Sequence, residues 1–138
     1  MTFHEKSAWI SLVAILLVSA FYFLHVPWTL TPSPAPRLAR GFLYCLVAFA
    51  LIEGVWHLVL ALRTPKEARA PRDEREKLIN LKAIRLAAPV YVIGSFLAVL
   101  TMHLRVNAVA IANGVLLAFV VAEIVNYGAR VVYHRRGL

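Results

Sequence analysis

A chain of 138 residues that is 61% hydrophobic, with mean hydropathy +0.72, carries more apolar weight than a soluble domain of this size. Its net charge of +8 lies outside the apolar stretches, which argues against a nucleic-acid groove and for a membrane topology signal. The single cysteine, Cys45, excludes an intrachain disulfide and a thiolate metal centre, and its place in an apolar run reads as a small core residue.

The apolar residues fall into four runs, Ala8–Val26, Gly41–Leu62, Leu86–Leu104 and Val106–Ala129. Crossing a hydrocarbon core of about 30 Å takes about 20 helical residues, and each run meets that length. The expected fold is therefore all-α: an integral membrane four-helix bundle, residues 1–138 forming one transmembrane domain with no room for a soluble catalytic unit.

The first helix is expected over about 5–26. It is too long for a signal-peptide core, has only Lys6 on its flank, and no small-x-small cleavage site follows it, so it reads as retained. Val26-Pro27-Trp28 closes it with an interfacial aromatic. The proline-rich stretch from Pro27 to Arg40 reads as an extended external crossing. A second helix follows over about 38–63, ended by Thr64-Pro65, because the residue before proline resists helical geometry.

The charged loop 64–77 leads into a third helix over about 73–102. Pro71 precedes an acidic cap at Asp73, and Glu74 and Glu76 fill the electropositive first turn. Asp73 and Lys77 have the i, i+4 spacing of a helix-surface ion pair. After a tight turn at His103–Asn107, the fourth helix spans about 106–133. Gly94-Ser95 and Asn113-Gly114 are small or polar spots where helices approach closely.

Four spans place both termini and the central loop on one side, with twelve of the fifteen basic residues. Arg37, Arg40 and Arg105 fall on the other. The positive-inside rule then puts both termini in the cytoplasm of a cell with an inner membrane, beside anionic headgroups.

The two halves also look alike. Leu46-Val-Ala-Phe-Ala-Leu-Ile-Glu53 can be laid on Leu116-Leu-Ala-Phe-Val-Val-Ala-Glu123, so the fold reads as two helical hairpins compatible with duplication.

Glu53 and Glu123 are the carboxylates inside the spans, each roughly 13 Å from the basic end of its helix. A charged group at that depth costs at least ~2.5–3.5 kcal/mol and is rarely idle. His57 lies one turn from Glu53, Asn126 and Tyr127 lie at matching depth, and Lys82 and Arg85 reach the same layer from the third helix. The seven residues form the expected intramembrane polar layer, with the third helix supplying its positive charge. A plainer reading stands beside it: Lys82 and Arg85 snorkel to the headgroups, and the glutamates only fix helix packing. His25 and His103, near the opposite face, are the two histidines that would suit a cofactor between facing helices. No metal site, nucleophilic triad or phosphate-binding glycine loop is present in the sequence.

The segment Asp73-Glu-Arg-Glu-Lys-Leu-Ile-Asn-Leu-Lys-Ala-Ile-Arg85 resembles a stretch before the third span of small uncharacterised four-helix bacterial inner-membrane proteins. The resemblance implies four helices and a bacterial cytoplasmic membrane, and transfers no activity.

The leading expectation is a non-enzymatic accessory, regulatory or scaffold component without cofactor, working as a homo-oligomer or with a larger membrane protein. The alternative is a small transporter or channel using Glu53 and Glu123 as proton or cation sites. A membrane haem or redox protein using His25, His57 or His103 is the third.

Overall fold

The computed structural model describes residues 3–25, 35–65, 73–104 and 108–136, with side chains placed from residue 40 onward in the second of these segments. Pro27–Pro34 of the expected Pro27–Arg40 crossing, most of the charged loop and the turn at Arg105–Asn107 lie outside the described residues, while Ala35–Arg40 is helical and not extended. The helices are α1 (Phe3–His25), α2 (Ala35–Arg63), α3 (Glu74–Leu100) and α4 (Ala108–Arg136), with a 3-10 turn over Thr101–Leu104. Among the described residues there is no strand, and all four helices are long and apolar enough to cross a membrane. The chain forms a four-helix, multi-pass membrane bundle.

Local chemistry sets the helix ends. α2 begins at Ala35, three residues before the expected start, because Pro36 suits a first turn whose N–H groups are unpaired in any case. Thr64 extends its far end, donating both its backbone N–H and its hydroxyl to the Leu60 carbonyl. Asp73 caps α3 by accepting from the Glu74 N–H at 2.8 Å. Lys77 pairs with Glu74 at 2.7 Å and not with Asp73. α4 runs on through His134, Arg135 and Arg136, past the expected end at Tyr133. Basic side chains there favour the negative C-terminal pole.

The helices pack in the order α2–α1–α4–α3, with α3 on α4 the most extensive contact. The core is made of small side chains, including Ala8, Ala14, Ala83, Ala87, Ala118 and Ala122. Lipid offers no hydrophobic drive for helix association, so close backbone approach and van der Waals contact must supply it. Gly94 and Gly114 permit that approach: a Cβ on Gly94 would fall 2.7 Å from the Ala118 Cβ, and one on Gly114 would fall 3.0 Å from the Ala98 Cβ. α2 is the contrast. None of its apolar span is buried, and Gly41 and Gly54 face open space. The two hairpins thus differ, one tightly closed and the other loose.

Large side chains such as Leu24, Tyr44, Leu62, Phe96 and Leu104 point outward, an arrangement that water would penalise and hydrocarbon accepts.

The Gly94→Ala variant should lose about 1–3 kcal/mol of stability, since the contact is with a Cβ and backbone that cannot swing away. Gly54→Ala should be neutral or gain up to about 1 kcal/mol. Unfolding of both variants in mixed micelles measures the difference.

Candidate functional site

Polar groups on one face of each helix meet at the end of the bundle that carries both termini. On α1, His4, Ser7 and Ser11 succeed one another at intervals of three and four, one face of a helix. On α2, Glu53 and His57 are one turn apart on the face toward α1. α3 adds Glu76 and Asn80, and α4 adds Tyr127, Arg130 and His134. Together they line a cavity of about 290 Å³, near the lower end of the range for small-molecule sites.

Glu53 is its hub. The Ser11 hydroxyl donates to Glu53 Oε2 at 3.0 Å, and His57 Nε2 lies 2.7 Å from the same oxygen. A carboxylate only accepts, so an ionised Glu53 requires the imidazole proton on Nε2. His57 Nδ1 then accepts from the Ser7 hydroxyl, 3.5 Å away. The other carboxylate oxygen, Glu53 Oε1, is buried with no donor, and so is Asn80 Oδ1 on α3.

Glu123 is held differently. Asn126 Nδ2 donates to Glu123 Oε2 at 3.2 Å, and Arg130 Nε donates to Asn126 Oδ1 at 3.2 Å. The Arg130 guanidinium also lies 5.3 Å from the centroid of the Tyr127 ring. Tyr127 stands within electrostatic reach of both glutamates, so the two carboxylates belong to one region of the bundle.

At the mouth, His4 Nε2 is 3.1 Å from Glu76 Oε2, joining α1 to α3. Arg135 Nε is 3.7 Å from the buried Glu5, joining α1 to α4. Toward the other end the interior turns apolar, with Ala14, Ile15, Ala118 and Val120 buried. The next buried polar contact is Tyr22 donating to Asn113 Oδ1 at 2.9 Å. Ser11 to Tyr22 is about 16 Å along α1.

The structure brings Glu53, His57 and Tyr127 together with the Glu123–Asn126 pair, but not Lys82 and Arg85. α3 turns Ile79, Ala83 and Ala87 inward. Two residues on from Ala83, Arg85 falls on the opposite face and is exposed, while Lys82 lies to one side and is half-buried. Among the described residues neither makes an ion pair, so the third helix does not supply the positive charge; Arg130 supplies it from α4. His25 and His103 are exposed, and each Nδ1 meets a carbonyl of its own segment, Phe21 at 2.8 Å and Leu100 at 3.3 Å. No three His, Cys, Asp or Glu side chains gather as a metal site among the described residues.

His4, Ser7, Glu76, Asn80, Arg130 and His134 were not expected in this site. Their signal was present as spacing: 4, 7 and 11 on one helix face, 76 and 80 on another, 127, 130 and 134 on a third. They stand near helix ends, where polar residues ordinarily meet headgroups.

No family model, characterised protein or solved structure matches the chain.

A double-mutant cycle between Ser11→Ala and Glu53→Gln should give a coupling of about 0.6 kcal/mol or more, the usual size for a polar contact between membrane helices. The cycle between Lys82→Met and Glu53→Gln should give none within error. Reversible unfolding in mixed micelles reads both.

Proposed function

We propose that this protein is a non-enzymatic accessory or regulatory component of an inner membrane, both termini cytoplasmic, whose working part is the polar cavity. A proton or small cation enters from the cytoplasmic side and is held at Glu53–His57. The one observation that carries this reading is the one-sided shape of the polar interior. It runs from His4 and Glu76 at the mouth to Ser11 and Glu53, and then gives way to apolar packing. A conducting path would need polar groups across the remaining ~16 Å, and the interior there provides Tyr22 bonded to Asn113 at its far end.

What protonation would do follows from the bonding. Ser7 and Ser11 of α1 link to α2 through Glu53 and His57. Protonating the Glu53 carboxylate weakens it as an acceptor for Ser11 and His57 together. α2 has little other packing, so its seat against α1 is the element such a proton would shift. A partner or second copy touching α2 would then feel the change.

The transporter reading shares this site and differs in needing access from both sides. Both are read in the reconstituted protein. Infrared difference spectra between acidified and neutral samples should show a carboxyl band that disappears in Glu53→Gln. Proton flux through wild-type proteoliposomes should not exceed that of empty vesicles. Flux that Glu53→Gln abolishes would replace the accessory reading with transport, and a spectrum unchanged by Glu53→Gln would remove the proton-binding role.

A further inference from the structure

Ser7 and Ser11 of α1 meet the same imidazole on α2. Ser7 Oγ lies 3.5 Å from His57 Nδ1, and Ser11 Oγ lies 3.4 Å from His57 Nε2. By distance alone the hydroxyls are equivalent; Glu53 makes them different. Its Oε2 lies 2.7 Å from Nε2 and draws the imidazole proton there, which leaves Nδ1 with its lone pair. Ser11 also spends its own proton on Glu53 Oε2, at 3.0 Å. Of the two hydroxyls, Ser7 faces the basic nitrogen, on a ring held from behind by a carboxylate. That order of hydroxyl, imidazole and carboxylate activates a serine as a nucleophile. A separation of 3.5 Å is the loose spacing such a pair has before a reacting group docks. Ser7 and His57 stand 50 residues apart on different helices, so no sequence motif announces them.

We infer that Ser7 is a site of covalent modification, a stoichiometric acceptor of a short acyl group from a thioester. Ser7 Oγ forms a bond to the carbonyl carbon, and the carbon–sulfur bond breaks. The proton leaves Oγ for His57 Nδ1 and passes to the departing thiolate, giving a free thiol and an oxygen ester on Ser7. Arg130, on the wall of the same cavity, supplies positive charge toward the oxyanion formed on the way. The cavity of about 290 Å³ is lined mainly by polar groups, which suits a short acyl group and not a long chain.

The reaction stops at the ester. An oxygen ester is a weaker electrophile than the thioester that made it, and its hydrolysis needs strong stabilisation of the oxyanion. Ser7 lies inside α1, where its N–H is spent on the helix, so it brings no backbone oxyanion hole of its own. Each chain is consumed once, in keeping with the non-enzymatic reading. The site shares Glu53 and His57 with proton binding and does not depend on it. A Glu53 carboxyl band with an unreactive Ser7 would remove this inference alone, and a reactive Ser7 without that band would remove the proton-binding role alone.

The test uses the full chain in lipid nanodiscs, with Cys45→Ala removing its one competing thiol. S-phenyl thioacetate is added at neutral pH, and peptide mass spectrometry follows acetylation at each serine. Ser7 should acetylate on the order of a hundredfold faster than Ser11, the size of general-base assistance. Occupancy of Ser7 should level off at about one acetyl per chain, and hydroxylamine should remove it as it removes an ester and not an amide. His57→Gln should bring Ser7 down to the rate of Ser11, and so should unfolding the chain in dodecyl sulfate. Equal rates at Ser7 and Ser11 in the folded chain, a Ser7 rate unchanged by His57→Gln, or continued thiophenol release that Ser7→Ala abolishes would each overturn the proposal.

Discussion

A polar side chain surrounded by hydrocarbon has no water to fall back on, and whatever partner it finds must come from another part of the same bundle. In this protein that requirement centres on Glu53. Its carboxylate draws the Ser11 hydroxyl from α1 and His57 from one turn along α2, so one oxygen holds two helices in register. The arrangement of the basic end follows from it. The wall of α1 that presents Ser11 must also present Ser7 and His4, and His4 in turn reaches Glu76 on α3.

The two hairpins answer the same environment in different ways. α3 and α4 are joined by shape, Gly94 against Ala118 and Gly114 against Ala98, at separations that leave no room for another methyl group. α1 and α2 are joined by hydrogen bonds at one end and by looser apolar contact, such as Tyr22 on Phe42, toward the other. Polar bonds respond to protonation and to competing donors, and methyl contacts do not. In the proposed function the responsive part of the molecule is α2, with the α3–α4 pair and α1 as its frame.

The fold was legible because the bilayer imposes so narrow a choice: four apolar runs of spanning length leave little besides four helices. That Glu53 and His57 share a helix face one turn apart was equally readable, since it needs only helix geometry. Partner choice across helices was not. Lys82 and Arg85 stood at a suitable depth, but depth fixes a coordinate along the helix axis and says nothing of rotation about it. That rotation is set by Ile79, Ala83 and Ala87, whose small faces seat on α4 and turn Arg85 away. Arg130 and His134 were likewise hidden by their nearness to a helix end. Only the packing of four helices shows that they face the interior and not the headgroups.

Proton binding at Glu53 requires a polar interior that is wet and reachable from the basic end alone. Single cysteines introduced in a Cys45→Ala background, with a membrane-impermeant thiol reagent applied to either side of sealed vesicles, measure this directly. Ser7→Cys and Ser11→Cys should react from the side that carries the termini, while Ile15→Cys and Val120→Cys should stay unmodified from both. Reaction of Ser11→Cys from the opposite side, or no reaction of Ser7→Cys and Ser11→Cys from either side, would contradict it.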